Sequence, residues 1–326
     1  MREIGGNRFM HIIGVFNRDG GTFKTTDMEA FAARAVEIFT AAGHEIETRI
    51  VDGRSLLAEL ERAAGSTDVL LAGGGDGTVS AAAAIAYRRG IPLAVVPAGT
   101  MNLFARSLGI PLKLDEALAA LATGDVKQVD IATANGRPFI HQLSAGIHAK
   151  MVKLRQSLPY RSRIGKMMAS TRAALGAILN PPIFSIDVLA RGRLERRSIA
   201  GLAVSNNPLD EGHLPLADRL DRGVLGIYLV PPLTLPVMFR LAWGLLRGRF
   251  RSLPEVIDRE VREATIFFPR KKSGSLAVID GELVTLSDRL DLKIHPGGLS
   301  VIVPRSEPVP VAVADGGAAT KLLAST

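Results

Sequence analysis

From Met10 to about Gly124, short apolar runs alternate with stretches of helical periodicity. His11–Phe16 predicts a buried strand, followed by the polar loop Asn17–Thr25. Thr26-Asp27-Met28-Glu29 has the form of a capping box and opens a helix that ends near Gly43. His44–Val51 alternates as a strand does, and Leu56–Ala64 predicts a helix ending at Gly65. Asp68–Ala72 and Leu93–Val96 predict buried strands, with the alanine-rich helix Val79–Arg89 between them. Asn102–Leu108 and Asp115–Ala122 predict two more helices. Repeated strand–helix units of this spacing imply a doubly wound α/β domain with a parallel sheet.

Beyond Gly124 the pattern changes to short strands. Val129–Thr133 and Phe139–Leu143 flank Asn135-Gly136, a pair suited to a type I′ hairpin turn. Further strands are predicted at Ile183–Leu189, Ser198–Ser205, Leu225–Val230, Glu263–Phe268, Leu276–Ile279, Glu282–Leu286 and Leu290–Ile294. Helical insertions at about Ala149–Leu179 and Leu235–Leu246 interrupt them. The expected architecture is an α/β nucleotide-binding domain over residues 1–125 and a C-terminal β-sandwich over 126–306. The Ala-, Pro- and Gly-rich segment 307–326 is expected to be a loose tail.

Two segments stand where strands give way to helices. One is Gly73-Gly74-Gly75-Asp76-Gly77-Thr78, the other Pro97-Ala98-Gly99-Thr100-Met101-Asn102. Consecutive glycines let the backbone approach a ligand closely, and N–H groups at a helix start attract anions. In open α/β sheets ligands bind beyond the carboxyl ends of the strands, where both segments fall. Asp76 would repel phosphate unless a divalent cation lay between them, as Mg²⁺ does when one or two carboxylates and substrate phosphates hold it. A glycine-rich turn after a strand is also an ordinary connection, and the pair carries more weight than either part. The chain lacks the Walker pattern and the G-x-G-x-x-G fingerprint, which disfavours an ordinary ATPase or a dehydrogenase.

The charge narrows the partners. A formal net charge of +8 favours anionic ones, while 5% aromatic residues and one Trp leave little for stacking on bases, so no nucleic-acid partner is expected. The chain has no cysteine, which excludes disulfides and thiolate chemistry. No stretch approaches the ~20 apolar residues of a spanning helix, and the run Met10–Phe16 is short for a signal peptide. A cytoplasmic protein is expected.

The order G-G-D-G-T, then P-x-G-T-x-N-x-x-A on Pro97, Gly99, Thr100, Asn102 and Ala105, resembles the diacylglycerol kinase catalytic-domain family. More narrowly it is similar to the bacterial soluble lipid kinases, related to sphingosine and ceramide kinases. The likeness runs from about Met10 to Val303. It implies an α/β nucleotide domain, a β-sandwich and an active site between them, where the γ-phosphoryl group of ATP passes to a lipid hydroxyl with Mg²⁺. Carried over by position, it implies that Gly74, Gly75, Asp76, Gly77, Thr78, Val79 and Ser80 cradle the nucleotide phosphates. Asp76 would organise Mg²⁺, Thr100 would bond the nucleotide beside Gly99, and Asn102 would stiffen the second loop. The late D-G-E turn, Asp280-Gly281-Glu282, would supply the general base, Glu282. A positioned carboxylate can take the proton of an attacking alcohol. Asp-Gly between two strands is also an ordinary hairpin turn.

Departures accompany the likeness. The family's N-P-x-S-G loop reads Asn17-Arg18-Asp19-Gly20-Gly21, keeping Asn17 and a glycine. Where a nucleotide-contacting Thr usually follows the second strand, this chain has Arg49-Ile50-Val51-Asp52-Gly53. In Asp221-Arg222-Gly223-Val224-Leu225, Arg222 stands where a structural-metal ligand would be, so that site is expected to be absent or filled by the guanidinium. The usual G-x-D-A reads Gly146-Ile147-His148-Ala149. For membrane contact, Leu235–Leu246 with its Trp, followed by Arg247, Arg249 and Arg251, suits an interfacial helix on anionic headgroups. A second cationic stretch holds Lys150, Lys153, Arg155, Arg161, Arg163, Lys166 and Arg172. The expectation is a kinase that docks reversibly on the inner membrane face. Two other readings stay open: a G-G-D-G kinase of a soluble substrate, as in NAD kinase, and a catalytically silent nucleotide or lipid sensor.

Overall fold

The computed structural model describes residues 2–4, 7–157, 182–210, 217–232, 234, 237, 240, 243–244, 247 and 256–305. Strands β1 (Arg2–Ile4) and β2 (Asn7–Phe9) form a short antiparallel pair. Four parallel strands follow: β3 (His11–Asn17), β4 (Glu45–Val51), β5 (Val69–Gly74) and β6 (Leu93–Pro97), in the order β4-β3-β5-β6. β5 and β6 are buried along their whole length, as their uninterrupted apolar runs require of strands covered on both faces. Helix α1 (Met28–Ala41) packs on α5 (Leu114–Ala122), and α2 (Leu56–Ala64) packs on α3 (Asp76–Arg89). The chain leaves β3 toward β4 and returns past it to β5, so crossovers of one hand put these helix pairs on opposite faces. The reversal between β3 and β5 is a topological switch point, where carboxyl-end loops diverge and leave a crevice.

Local details differ from the sequence reading. Asp27, not Thr26, caps α1: its side chain accepts the Ala30 N–H at 3.1 Å, while the Thr26 hydroxyl turns back to the Thr22 carbonyl. α3 begins at Asp76 rather than Val79, so the G-D-G-T residues are themselves its first turn. Within the loop after β3, a 3₁₀ turn at Phe23–Thr25 is pinned by buried Phe23, whose ring meets Phe31 at 5.0 Å and Phe16 at 6.1 Å.

The C-terminal half is a sandwich, as expected. One layer is a six-stranded antiparallel sheet, ordered β14 (Ile257–Val261), β13 (Leu225–Val230), β12 (Gly201–Asn206), β9 (Gln142–Gly146), β16 (Leu276–Ile279) and β17 (Glu282–Thr285). The other holds β11 (Arg193–Ile199), β10 (Phe184–Ala190), β15 (Glu263–Phe267), β18 (Arg289–Val303), β7 (Asp125–Ala134) and β8 (Arg137–Phe139). Leu143, Val204 and Ile227 of the first layer and Ile186, Ile266 and Leu292 of the second meet in one buried cluster. Ser198–Ser205, read as one strand, is two, because the chain changes partner at Ala200 between β11 and β12.

β7 and β18 run longer than their apolar cores suggest and join the two halves. β18 pairs with β15 near its start and meets β6 in parallel at Val301, while β7 follows it along both stretches. Their register shifts between His295 and Leu299, across Pro296-Gly297-Gly298. There the buried Asp130 carboxylate accepts the N–H groups of Gly297 at 2.9 Å and Gly223 at 2.6 Å. No helix among the described residues is long and apolar enough to cross a membrane. The stretch 158–179 of the first helical insertion, with Arg161, Arg163, Lys166 and Arg172, lies outside the described residues, as do most of Leu235–Leu246, Arg249, Arg251 and the tail.

Candidate functional site

Three loops meet at the carboxyl tips of β3, β5 and β6. Asn17 ends β3, and its amide donates to the Thr78 hydroxyl at 3.0 Å. The Thr22 N–H donates to the Ala98 carbonyl at 2.8 Å, fastening the first loop to the third. Contact between backbones explains the glycines. A Cβ on Gly20 would lie 3.3 Å from the Gly74 Cα, and one on Gly99 only 2.8 Å from the Gly75 Cα. A Cβ on Gly74 would strike the Thr78 side chain at 2.5 Å. Gly77 has nothing within 4 Å of the same position, so there the backbone faces open space.

The acid of the glycine turn bridges two loops. Asp76 sits in the first turn of α3, and its carboxylate accepts the Leu103 N–H at 2.7 Å and the Asn102 N–H at 3.1 Å. It thereby satisfies orphan donors at the start of helix α4 (Leu103–Ser107). Asn102, in the left-handed region at φ 51°, accepts the Gly99 N–H at 2.7 Å and donates to the Gly99 carbonyl at 3.0 Å. Thr78 and Val79 are buried, and the Val79 N–H is already given to the Gly75 carbonyl at 3.1 Å, whereas Thr100 is exposed at the rim. The first N–H groups of α3 have no partner within the helix and open on the same crevice. Its lining suits an oxyanion, with the Asp76 carboxylate beside it as a group that could hold a cation. Among the described residues no three His, Asp or Glu side chains cluster as a complete protein cage for a metal ion.

The D-G-E turn joins β16 to β17 with Asp280 at φ 46° and Gly281 at φ 86°, the two positive angles of a type I′ hairpin. The turn reaches α3 directly, since the Ser80 hydroxyl donates to the Asp280 carboxylate at 2.6 Å. Asp280 also accepts the N–H groups of Ile140 and His141, each at 2.9 Å, and of Gln142 at 3.0 Å. Those donors are lost to the strand ladder, which is why the predicted strand Phe139–Leu143 breaks into β8 and β9 on different layers. Glu282 opens β17 with an exposed side chain, and the Arg137 guanidinium donates to its carboxylate.

Some of these residues carried no readable sign in the sequence. Arg137 follows an unremarkable Asn-Gly turn. Asp19 accepts the Gly53 N–H at 2.8 Å and so occupies the backbone after the second strand, where the family's Thr contact was lacking. Arg222 places its guanidinium 3.0 Å from Glu260. His148, in the first turn of α6 (Ile147–Ser157), lies 2.6 Å through Nδ1 from the Ser144 hydroxyl. A cleft of about 700 Å³ lies elsewhere, at the sandwich edge by Arg191, Arg193 and Glu195. In its wall Arg259 grips both Glu195 oxygens at 2.7 and 2.8 Å.

Comparison with known proteins bears on the family and the fold. Residues 11–134 match the diacylglycerol kinase catalytic domain family. The protein named Probable lipid kinase YegS-like of Pseudomonas aeruginosa is 29% identical over 293 residues, covering 84% of this chain and 90% of its own. The diacylglycerol kinase of Bacillus subtilis is 25% identical over 274 residues, 78% of this chain and 87% of its own. A crystal structure of a diacylglycerol kinase from Bacillus anthracis shares the fold at 18% identity, with a TM-score of 0.65 over 91% of this chain and 98% of that one. A second structure from the same organism superposes with a TM-score of 0.74 at 19% identity over 93% and 98%.

Proposed function

From the match of residues 11–134 to the diacylglycerol kinase catalytic domain family, we propose that the chain is a lipid kinase that moves the γ-phosphoryl group of ATP to a lipid hydroxyl with Mg²⁺. One observation supports this above the others: the loops at three strand tips converge where α3 begins, and the turn bearing Glu282 is bonded to that same helix. The backbone of Gly74 to Thr78 would cradle the nucleotide phosphates, with Asn17, Gly99 and Thr100 closing the cradle and Asn102 holding its shape. Asp76 would hold Mg²⁺ through the acceptor positions its two N–H bonds leave free. When bound there with the phosphates, Mg²⁺ neutralises their charge.

Glu282 accepts the proton of the lipid alcohol as it attacks phosphorus, and Arg137 keeps the carboxylate aimed. Little covalent chemistry falls to the protein. Catalysis comes from alignment and charge stabilisation. Access to the bilayer falls to the exposed Trp243, whose ring carries the Arg247 guanidinium 4.5 Å from its centroid. A Trp–Arg pair suits an anionic lipid–water interface on the inner membrane face.

The test is incubation with γ-labelled ATP and a total lipid extract across a Mg²⁺ series. Labelled lipid that rises with Mg²⁺ and falls about 100-fold or more in Glu282→Gln, with nucleotide binding retained, is the expected result. Absence of labelled lipid at every Mg²⁺ concentration refutes the activity, and wild-type turnover in Glu282→Gln removes the base. Flotation with anionic vesicles, lost on Trp243→Ala, tests the docking surface.

A further inference from the structure

We propose that Asp280 is a positioning residue, and that its bond from Ser80 couples the nucleotide-bearing helix to the turn carrying the base. This rests on the reading of Glu282 as that base. Asp76 and Ser80 stand four residues apart, so they share one face of α3. Asp76 fixes the start of α4 on that face, and Ser80 fixes the 280–281 turn. The nucleotide loop and the base are thus set from one rigid element, although 200 residues separate Ser80 from its partner.

A hairpin turn alone does not explain the residue. Asn satisfies the backbone angles of a type I′ turn as well as Asp does. A carboxylate differs in presenting about four acceptor positions and no donor. Here four donors occupy it: the Ser80 hydroxyl and the N–H groups of Ile140, His141 and Gln142. The Asp280 N–H in turn donates to the Gln142 carbonyl at 2.9 Å, so the turn and the β8–β9 link are bonded in both directions. An amide in this place would aim its own N–H₂ at one of those donors. Ser80 is the one side chain of the four, and the one from the α/β half.

Amide hydrogen exchange with and without a non-hydrolysable ATP analogue and Mg²⁺ reads the coupling without requiring turnover. In the wild type, nucleotide slows exchange in 73–80 and also in 139–143 and 279–283. Ser80→Ala keeps the protection at 73–80 and loses it at the two distant segments; Ser80→Thr, which retains the hydroxyl, restores it. Asp280→Asn uncouples in the same way. In lipid phosphorylation Ser80→Ala lowers kcat by about 10- to 100-fold, as misplacement of a catalytic group by an ångström can, while KM for ATP stays within about twofold.

Undiminished spread of protection in Ser80→Ala overturns the proposal. So does a fall in kcat matched by an equal rise in the ATP KM, because that reports damage to α3 alone. Loss of nucleotide protection at 73–80 in the wild type removes the nucleotide site and the coupling together. Coupled exchange in a protein that labels no lipid keeps the linkage and refutes the kinase reading instead.

Discussion

Asp76→Asn separates two tasks that fall on a single carboxylate. The first is mechanical: its oxygens hold the N–H groups of Asn102 and Leu103 at 3.1 and 2.7 Å and so lock the two glycine loops together. An amide offers one oxygen, so one of these N–H groups would face an N–H₂. The loss is one bond to a charged acceptor, worth about 1.5–3 kcal/mol, plus some cost of an unsatisfied donor. Asp76 is half-buried and water can reach the orphaned group, which brings the expected loss to about 1–2 kcal/mol. Urea unfolding without nucleotide or metal measures it. The second, proposed task is metal binding, which adds nothing in that assay and would appear only when Mg²⁺ is titrated in the presence of ATP. The variant should unfold at lower urea and bind Mg²⁺–ATP weakly. An unchanged urea midpoint refutes the clamp, and an unchanged Mg²⁺ titration refutes the metal role.

The glycines of the site should respond in opposite directions. Gly99→Ala would press a Cβ to 2.8 Å from the Gly75 Cα, where no rotamer change relieves it, and should cost about 1–3 kcal/mol in unfolding. Gly77→Ala meets nothing within 4 Å in helical backbone and should stabilise by about 0.5–1 kcal/mol, while weakening nucleotide binding measured by calorimetry. Equal effects of the two on stability would remove the backbone-contact account. His295, whose Nε2 lies 3.0 Å from the Thr133 hydroxyl, has its pKa lowered first by burial and then by Lys293. Because the unfolded chain takes up the proton more readily, stability should fall as pH drops below the unfolded value of about 6.5 and level off below the lower folded value. His295→Gln should flatten that part of the curve in melts at a series of pH values, and an unaltered slope would assign it to another group.

Much of the α/β half was legible because local rules and packing agree there. Continuous apolar runs at Asp68–Ala72 and Leu93–Val96 can only be satisfied between two helical layers, and the glycine loops fall at the strand tips whichever way the sheet closes. The start of α3 was misplaced because glycines in a G-D-G-T segment resemble a loop, although their neighbours fold them as the first helical turn. The β-half was legible as strands and as a sandwich but not in its pairing. Asp280 takes the ladder donors of residues 140–142 and sends β8 and β9 to different layers, a choice made by a side chain 138 to 140 residues away.

Residue types and spacing by themselves settled the strand–helix alternation, the two glycine-rich loops at strand ends and the D-G-E turn, because each is a short-range property of backbone and side chain. Tertiary structure alone decided that β18 returns from the sandwich to the parallel sheet, that Asp76 reaches α4, that Arg137 faces Glu282, and that Ser80 meets Asp280. Each of those contacts joins groups distant along the chain, and their geometry comes from the whole packed assembly rather than from any local propensity.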